Sequence, residues 1–167
     1  PLFYRGFTKS LCTSLNHVVC HGIPSERILD DGDILNIDVT AIVEGYHGDT
    51  SRMFYVGEVP VKAKKLVDTT YQSMMNAIKI LKPGIKLGDI GYEIQSYVEQ
   101  NGFSVVRDFC GHGVSNVFHE QPNILHYGNK NTGLKIEPGM TFTIEPMINA
   151  GKHDVKVLND GWTAVTK

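Results

Sequence analysis

A weak internal repeat constrains the fold of this chain more than any single motif. Residues 32–38 (Gly-Asp-Ile-Leu-Asn-Ile-Asp) align with residues 139–145 (Gly-Met-Thr-Phe-Thr-Ile-Glu), so that in each copy a turn glycine starts a strand-like run ending in an acid. His-Gly-apolar triplets at residues 21–23 and 112–114 precede the two runs in the same order. Two such matches predict a duplicated half-domain with a cleft between the halves.

The first copy leads into a predicted β-hairpin. Residues 34–43 are rich in β-branched side chains, Glu44-Gly45 suits a two-residue turn, and residues 47–56 again favour a strand. Polar residues interrupt the apolar run of the first strand at every second position. Since side chains alternate in direction along a strand, one face of the hairpin is polar and the other is apolar.

Two acids share the polar face of this hairpin. If Val43 pairs with Tyr46, then Thr40 lies opposite Asp49. Asp38 points to the same face as Thr40 and is therefore diagonal to Asp49, about 7–8 Å away between backbones. An isolated aspartate in an edge hairpin is usually solvated, but two carboxylates this close repel each other unless something positive lies between them. The pair therefore favours a site that holds a cation.

The remaining sequence predicts helices and short strands. Apolar residues at helical spacing predict a helix that starts at Pro60 and is stopped by Pro83-Gly84, and a second helix over about 87–100. Short strands are predicted at 16–20, 104–106 and 140–145, and a last hairpin joins 155–158 to 162–166. This order predicts an α/β chain of the α+β type, with a largely antiparallel sheet and helices on one face.

Composition narrows the class of protein. The chain has 167 residues, 41% hydrophobic and 20% charged, which is ordinary for one globular domain. A formal net charge of −2 without a Lys/Arg run gives no basis for nucleic-acid or membrane binding. Three cysteines without metal-finger spacing fit thiols in a reducing cytosol. No apolar run is long enough to span a bilayer. We therefore expect a cytoplasmic protein.

Three carboxylates and one imidazole are the candidate metal ligands: Asp38, Asp49, Glu145 and His112. Such ligands suit divalent Mn, Fe, Co or Zn. A pair of ions explains three carboxylates, and two ions can hold a bridging hydroxide and polarise a carbonyl, which is hydrolytic chemistry. His21 and His119 are then available for proton transfer or transition-state hydrogen bonding. Three further histidines are interpreted as structural or surface residues: His47, His126 and His153. His17 is unassigned.

Five sequence segments occur in a specific order and spacing. They are residues 16–24 (NHVVCHGIP), 35–40 (LNIDVT), 47–50 (HGDT), 111–113 (GHG) and 143–146 (TIEP). As a set they closely resemble the bacterial type I methionine aminopeptidases, and the resemblance covers essentially the whole chain. It implies the pita-bread (creatinase/aminopeptidase-like) fold, a pseudo-two-fold antiparallel sheet with helices on one face.

The resemblance also implies a role for each metal ligand. Asp49 would bridge two divalent ions, Asp38 would bind one of them, and His112 and Glu145 would bind the other. Glu145 would in addition act as general base. The identity of the ions, Co, Mn, Fe or Zn, is left open.

Further roles follow from the same resemblance. His119 would stabilise the tetrahedral intermediate, and His21 would contact the scissile amide or the leaving group. Both would thereby bind substrate. Five residues resemble the wall of the pocket for the methionine side chain: Tyr4, Phe7, Cys12, Phe118 and Trp162. Aromatic residues are, however, more often simple core.

The activity implied is a metal-dependent aminopeptidase, a hydrolase that removes the initiator methionine from nascent proteins by means of a metal-bridged hydroxide. Its partners would be nascent peptide N-termini near the ribosome, and the protein would be a monomer. One alternative is an Xaa-Pro dipeptidase of the same fold, which residues 20–24 (CHGIP) disfavour. The other is a non-catalytic pita-bread binding module, which has no need of four metal ligands and two accessory histidines.

One feature of the family is missing from the sequence. The family has a fifth ligand, a bridging Glu, in the strand that follows a segment like residues 161–167. The chain starts at Pro1 and stops at Lys167 within a strand-like run. We therefore expect residues 1–167 to be a single metallopeptidase catalytic domain that is incomplete at both termini, and we expect the chain by itself to bind metal weakly and to have little activity.

Overall fold

The structure is a computed structural model that describes residues 2–167. Within these residues it combines two helices with short, mostly antiparallel strands, as predicted. A 3-10 turn at Tyr4–Gly6 is followed by β1 (Cys12–Leu15), β2 (Val18–Cys20), β3 (Ile34–Val43), β4 (Tyr46–Tyr55), α1 (Val61–Lys79), α2 (Leu87–Gln100), β5 (Ser104–Val105), β6 (Gly111–Gly113), β7 (Glu120–Ile124), β8 (Ile148–Asn149), β9 (Val155–Val157) and β10 (Ala164–Thr166).

The hairpin of β3 and β4 forms in the predicted register, with Thr40 opposite Asp49. The other edge of β3 pairs with β1, where Cys12 lies opposite Asp38. We did not predict β1, because four residues are too few to show a clear period. β3 is therefore the central strand of the sheet β1-β3-β4 and is hydrogen-bonded along both edges.

The start of β3 is fixed by a buried carboxylate. Asp33 accepts hydrogen bonds from the Arg27 guanidinium (2.8 Å) and from the Asn16 side-chain amide (2.6 Å). The Arg27 bond, then bonds from the Asp30 backbone N–H and from Asn16, hold the pKa of Asp33 below its usual range. The side-chain oxygen of Asn16 in turn accepts a hydrogen bond from the Ile34 backbone N–H at 3.0 Å. The turn between β1 and β2 is thereby tied to the entry of β3.

The second copy of the repeat forms less regular structure than we predicted. The segment 140–145 is not a continuous strand and contributes only an isolated bridge between Phe142 and Gly113. Its backbone is bonded to β6 along one edge, by Thr143 N–H to His112 C=O at 2.9 Å. No strand within residues 2–167 pairs with its other edge. A regular ladder therefore does not form here, although the residues alternate as in a strand.

The two His-Gly triplets do not take equivalent places in the two halves. β6, which contains His112, is bonded directly to the segment 140–145, as β1 is bonded to β3. His21 instead precedes Gly22, whose carbonyl accepts a 2.9 Å hydrogen bond from β1 and so lies one strand further from β3. The strand beside β6 in the same way is β7, which starts directly after His119. The structural counterpart of His21 is therefore His119.

The helices cover the second half of the sheet. They pack on each other, and α2 contacts β5 and β7 through a fully buried stripe of Ile90, Ile94 and Val98. α1 begins at Val61 with Pro60 at its N-cap, one residue later than predicted. Neither helix within residues 2–167 has the length and hydropathy that a membrane span needs.

Candidate metal centre and active site

Three side chains from different parts of the chain converge on one point. Asp49 on β4, His112 on β6 and Glu145 each offer one possible ligand atom, and these atoms lie within 4.8 Å of one another. The Nε2 atom of His112 is 3.4 Å from Oδ2 of Asp49 and 3.5 Å from Oε1 of Glu145. We call these three residues the metal group.

The protonation of His112 fits a metal ligand. Its Nδ1 lies 2.9 Å from the Gly113 carbonyl oxygen, which can only accept, so Nδ1 carries the hydrogen in the neutral ring. Nε2 then presents a bare lone pair to the carboxylates of Asp49 and Glu145. Lone pair and carboxylates repel one another unless a proton or a cation lies between them. This donor set fits a divalent cation, and the hydrogen bond to Gly113 fixes the orientation of the ring, as such bonds do for histidines that bind metals.

Thr143 links two members of the metal group, although we did not predict this. Its hydroxyl donates to Oε1 of Glu145 (2.5 Å) and accepts from the His112 backbone N–H (3.0 Å). A threonine also bonds an acid in the first half, where the Thr40 hydroxyl donates to Oδ1 of Asp49 (3.2 Å). The internal repeat gives no signal for the role of Thr143, because the residue aligned with it in the first copy is Asn36.

Asp38 lies beside the metal group but is not one of its three members. Burial, and then the negative charge of Asp49, raises the pKa of Asp38 to about 6. Burial also raises the pKa of Glu145, against the Thr143 hydrogen bond and the charge of His112. Burial lowers the pKa of His112, but the hydrogen bonds to Asp49 and Gly113 and the charges of Glu145 and Asp49 together outweigh it, so the net shift is upward. All three groups therefore bind a proton more tightly than usual, and a bound cation would compete with these protons.

His119 lies next to the metal group in a cluster of aromatic rings. Its ring centroid is 4.1 Å from that of His112 and 3.9 Å from that of Phe118. Its Nδ1 is 2.8 Å from the Tyr4 hydroxyl. Burial, and then the charge of His112, lowers the pKa of His119 to about 4, so that the ring is neutral at neutral pH.

The residues suggested for the methionine pocket fall into two groups. Tyr4 and Phe118 belong to the cluster around His119. Phe7 and Trp162 pack edge to face at 5.1 Å, and the His21 ring lies 6.2 Å from Trp162. Phe7 is only 2% exposed, so it also serves as core. His21 and Cys12 are the other two predicted residues of this region. Burial lowers the pKa of His21, and Cys12 is buried opposite Asp38.

Two histidines interpreted as structural or surface residues contact the site. The backbone N–H of His47 donates a hydrogen bond to the Ser115 carbonyl oxygen (2.8 Å), and its Nδ1 lies 3.1 Å from the same oxygen. The ring of His47 stacks on Phe118. His126 is fully buried, and its Nε2 accepts from the Glu145 backbone N–H at 3.1 Å. The Nδ1 of His126 has no hydrogen-bond partner within residues 2–167. Nothing in the sequence near His126 indicates this contact.

Two carboxylates and a histidine that converge in this way form a site of the kind that holds a divalent metal ion. The sequence matches metallopeptidase family M24 over residues 2–165. The chain therefore belongs to the M24 metallopeptidases, a family that implies a bound divalent metal.

Similar proteins define the relationship further. The chain is 58% identical over 168 residues to the methionine aminopeptidase of Rickettsia prowazekii, and the match covers 100% of this chain and 65% of that relative. A crystal structure of methionine aminopeptidase from Rickettsia prowazekii matches with a TM-score of 0.99, covering 68% of its chain. Prolidase from Pyrococcus furiosus matches with a TM-score of 0.73 at 25% identity, covering 83% of this chain and 41% of the prolidase. The predicted pita-bread fold is confirmed.

Proposed function

We propose that the protein is a metal-dependent aminopeptidase that removes the N-terminal initiator methionine from nascent proteins. The observation that carries this proposal is the convergence of Nε2 of His112 with the carboxylates of Asp49 and Glu145, with the ring of His119 beside it. The similarity to methionine aminopeptidases supports the same activity. Identity to the prolidase is much lower, which disfavours the Xaa-Pro dipeptidase alternative.

The four predicted ligands would hold two divalent ions of Co, Mn, Fe or Zn: Asp38, Asp49, His112 and Glu145. Such ions, when bound, activate water and polarise the scissile carbonyl. Glu145 accepts a proton as general base, which its raised pKa suits. His119 donates a hydrogen bond to the oxygen on which negative charge develops.

The two groups of aromatic residues would together bind the methionine side chain of the substrate. His21, Phe7 and Trp162 form one wall of the methionine pocket, and Tyr4 and Phe118 form the other. Cys12, the first residue of β1, is buried opposite Asp38 on β3, where its thiol provides a small apolar surface. A closed pocket of this kind leaves little room beyond methionine, so the residue that follows it should be small.

The setting in which the enzyme acts is proposed from composition. A formal net charge of −2 without a basic run favours diffusible peptides over nucleic acid. Free thiols at all three cysteines suit the cytoplasm. The partners are nascent peptide N-termini near the ribosome, and the protein acts as a monomer.

The test is a ratio of rates on three peptides together with metal analysis. The chain is loaded with Mn(II) or Co(II), bound metal is measured after dialysis, and cleavage of Met-Ala-Ser, Met-Leu-Ser and an Xaa-Pro dipeptide is compared. We expect bound metal and a clear preference for Met-Ala-Ser, whatever the absolute rate. Asp49→Asn is the matched control and should lose both. Preference for the Xaa-Pro dipeptide would favour the dipeptidase, and failure to bind Mn(II) or Co(II) even with excess metal in the dialysis buffer would favour a non-catalytic module.

A further inference from the structure

Two adjacent histidines have different hydrogen-bond partners at the same ring nitrogen. The Nδ1 of His112 lies 2.9 Å from the Gly113 carbonyl oxygen, and the Nδ1 of His119 lies 2.8 Å from the Tyr4 hydroxyl. The two ring centroids are 4.1 Å apart. Only Nε2 of each ring remains available for a ligand, so the partner at Nδ1 decides what each Nε2 can do.

The partners impose opposite tautomers. A carbonyl oxygen can only accept, so Nδ1 of His112 must carry the hydrogen of the neutral ring, in which Nε2 is bare. A tyrosine hydroxyl can donate, and the lone pair of a neutral imidazole is a better acceptor than a phenol oxygen. The phenol O–H is also a stronger hydrogen-bond donor than the N–H of a neutral imidazole. The hydroxyl of Tyr4 therefore donates to Nδ1 of His119, and the hydrogen of that ring lies on Nε2.

We propose that Tyr4 is a positioning residue that holds His119 in the Nε2–H tautomer, opposite to that of His112. In this tautomer His119 is a hydrogen-bond donor toward the cleft and cannot bind a cation through Nε2. His112, with the other tautomer, can bind a cation and cannot donate. This inference rests on the proposed function for the use of the donor, and it explains why neighbouring rings of the same chemistry take separate roles.

The ring of Tyr4 is held independently of its hydroxyl. It packs edge to face on Phe118 with ring centroids 4.8 Å apart, and the Arg5 guanidinium lies 5.4 Å from its centroid. Phe118 is itself stacked on His47, at 5.4 Å with planes 9° apart. Tyr4→Phe therefore removes one hydroxyl and keeps the packing, which makes it a clean test of the hydrogen bond.

The experiment measures the tautomer of each histidine directly. The chain is labelled with ¹⁵N-histidine, kept free of metal at neutral pH, and recorded in long-range ¹H–¹⁵N correlation spectra, with His119→Ala identifying the signals of that ring. We expect wild-type His119 to show a protonated Nε2 and a bare Nδ1. In Tyr4→Phe this single-tautomer pattern should be lost, while His112 keeps a protonated Nδ1. The control Tyr71→Phe, at an exposed tyrosine, should leave both rings unchanged.

Three results would overturn the proposal. The first is a protonated Nδ1 on His119 in the wild type, and the second is an unchanged His119 pattern in Tyr4→Phe. The third is a simultaneous change at His112, which would mean that the hydroxyl acts on the whole site and not on His119. The spectra need neither metal nor substrate. An Nε2–H tautomer on His119 together with a preference for the Xaa-Pro dipeptide would therefore refute the proposed function and leave the role of Tyr4 intact.

Discussion

The two halves of the repeat position their acids by different means. β3, which carries Asp38, has a hydrogen-bonded strand on each edge, β1 and β4. Within residues 2–167, the segment 140–145, which carries Glu145, is bonded to β6 on one edge and to no strand on the other, and a cavity of about 800 Å³ borders it at Met140 and Thr141. The same sequence pattern is thus fixed by backbone ladders in the first half. In the second half, side chains of Thr143 and His126 hold the acid.

The largest expected effect comes from removing a member of the metal group. His112→Ala should lower affinity for Mn(II) or Co(II) by about 100-fold or more. Removing a ligand should cost more affinity than removing a residue that only hydrogen-bonds a ligand, which typically costs about 10–100-fold. His119→Ala, at the adjacent ring, should leave bound metal unchanged and reduce turnover by about 10²–10³. Isothermal titration with the metal and peptide assays separate the two. Equal metal loss in both variants would mean that His119 is a ligand.

A pair of threonine variants tests the comparison of the halves more directly. Thr143→Val removes the hydroxyl that joins Glu145 to the His112 backbone, and we expect metal affinity to fall by roughly 10–100-fold. Thr40→Val removes the equivalent bond to Asp49, yet paired strands on both sides of β3 already fix that hairpin, so the loss should be smaller. Titration calorimetry gives both values. A larger loss for Thr40→Val would reverse our account of the two halves.

The sequence predicted local geometry well and contacts between distant segments poorly. The register of Thr40 with Asp49 followed from alternation and turn position, which are properties of a single hairpin. The hydrogen bond between Tyr4 and His119 joins residues 115 positions apart, and the spacing of apolar and polar residues along a helix or strand cannot predict such a contact. We missed the contact between His126 and the Glu145 backbone because it arises from packing in the core, and no residue near His126 in the sequence indicates it.

The glycine that follows each repeated histidine allows a close approach of two backbones. A Cβ at Gly22 would lie 2.1 Å from the Thr13 carbonyl oxygen, and one at Gly113 would lie 2.5 Å from the Gln121 carbonyl oxygen. Gly22→Ala and Gly113→Ala should each lower the free energy of unfolding by about 1–3 kcal/mol, because backbone has to shift. Gly151→Ala, where nothing lies within 4 Å, should change it by less than about 0.5 kcal/mol. Urea unfolding curves measure all three.

If Gly113→Ala were as mild as Gly151→Ala, the second half would be loose enough to absorb a methyl group. A severe Gly22→Ala beside a mild Gly113→Ala would then confirm that only the first half is rigid. Equal, large losses would instead show that β6 is held as firmly as β1, despite the unpaired edge of the segment 140–145.

The smallest expected effect is a dependence of metal binding on pH that differs between the halves. The pKa of Asp38 is about 6 in the folded chain, above the usual value near 3.9 of an unfolded aspartate. A raised carboxyl pKa stabilises the metal-free fold below the unfolded value, and this contribution is lost as pH rises through about 6, where the buried group must ionise. A metal ion needs the ionised form, so the rise in melting temperature on adding Mn(II) should grow between about pH 5 and pH 7.

Asp38→Asn separates the first half from the second in this respect. It removes one ionisation and the repulsion with Asp49, so the metal-free chain should melt at a higher temperature at pH 7.5 than the wild type, while gaining less from metal. The remaining pH dependence would belong to Glu145, whose pKa is also raised by burial. Asp154→Asn, at an exposed site, is the control. Thermal melts with and without Mn(II) across this range decide the matter, and an unchanged pH profile in Asp38→Asn would mean that Asp38 does not compete with protons for the metal.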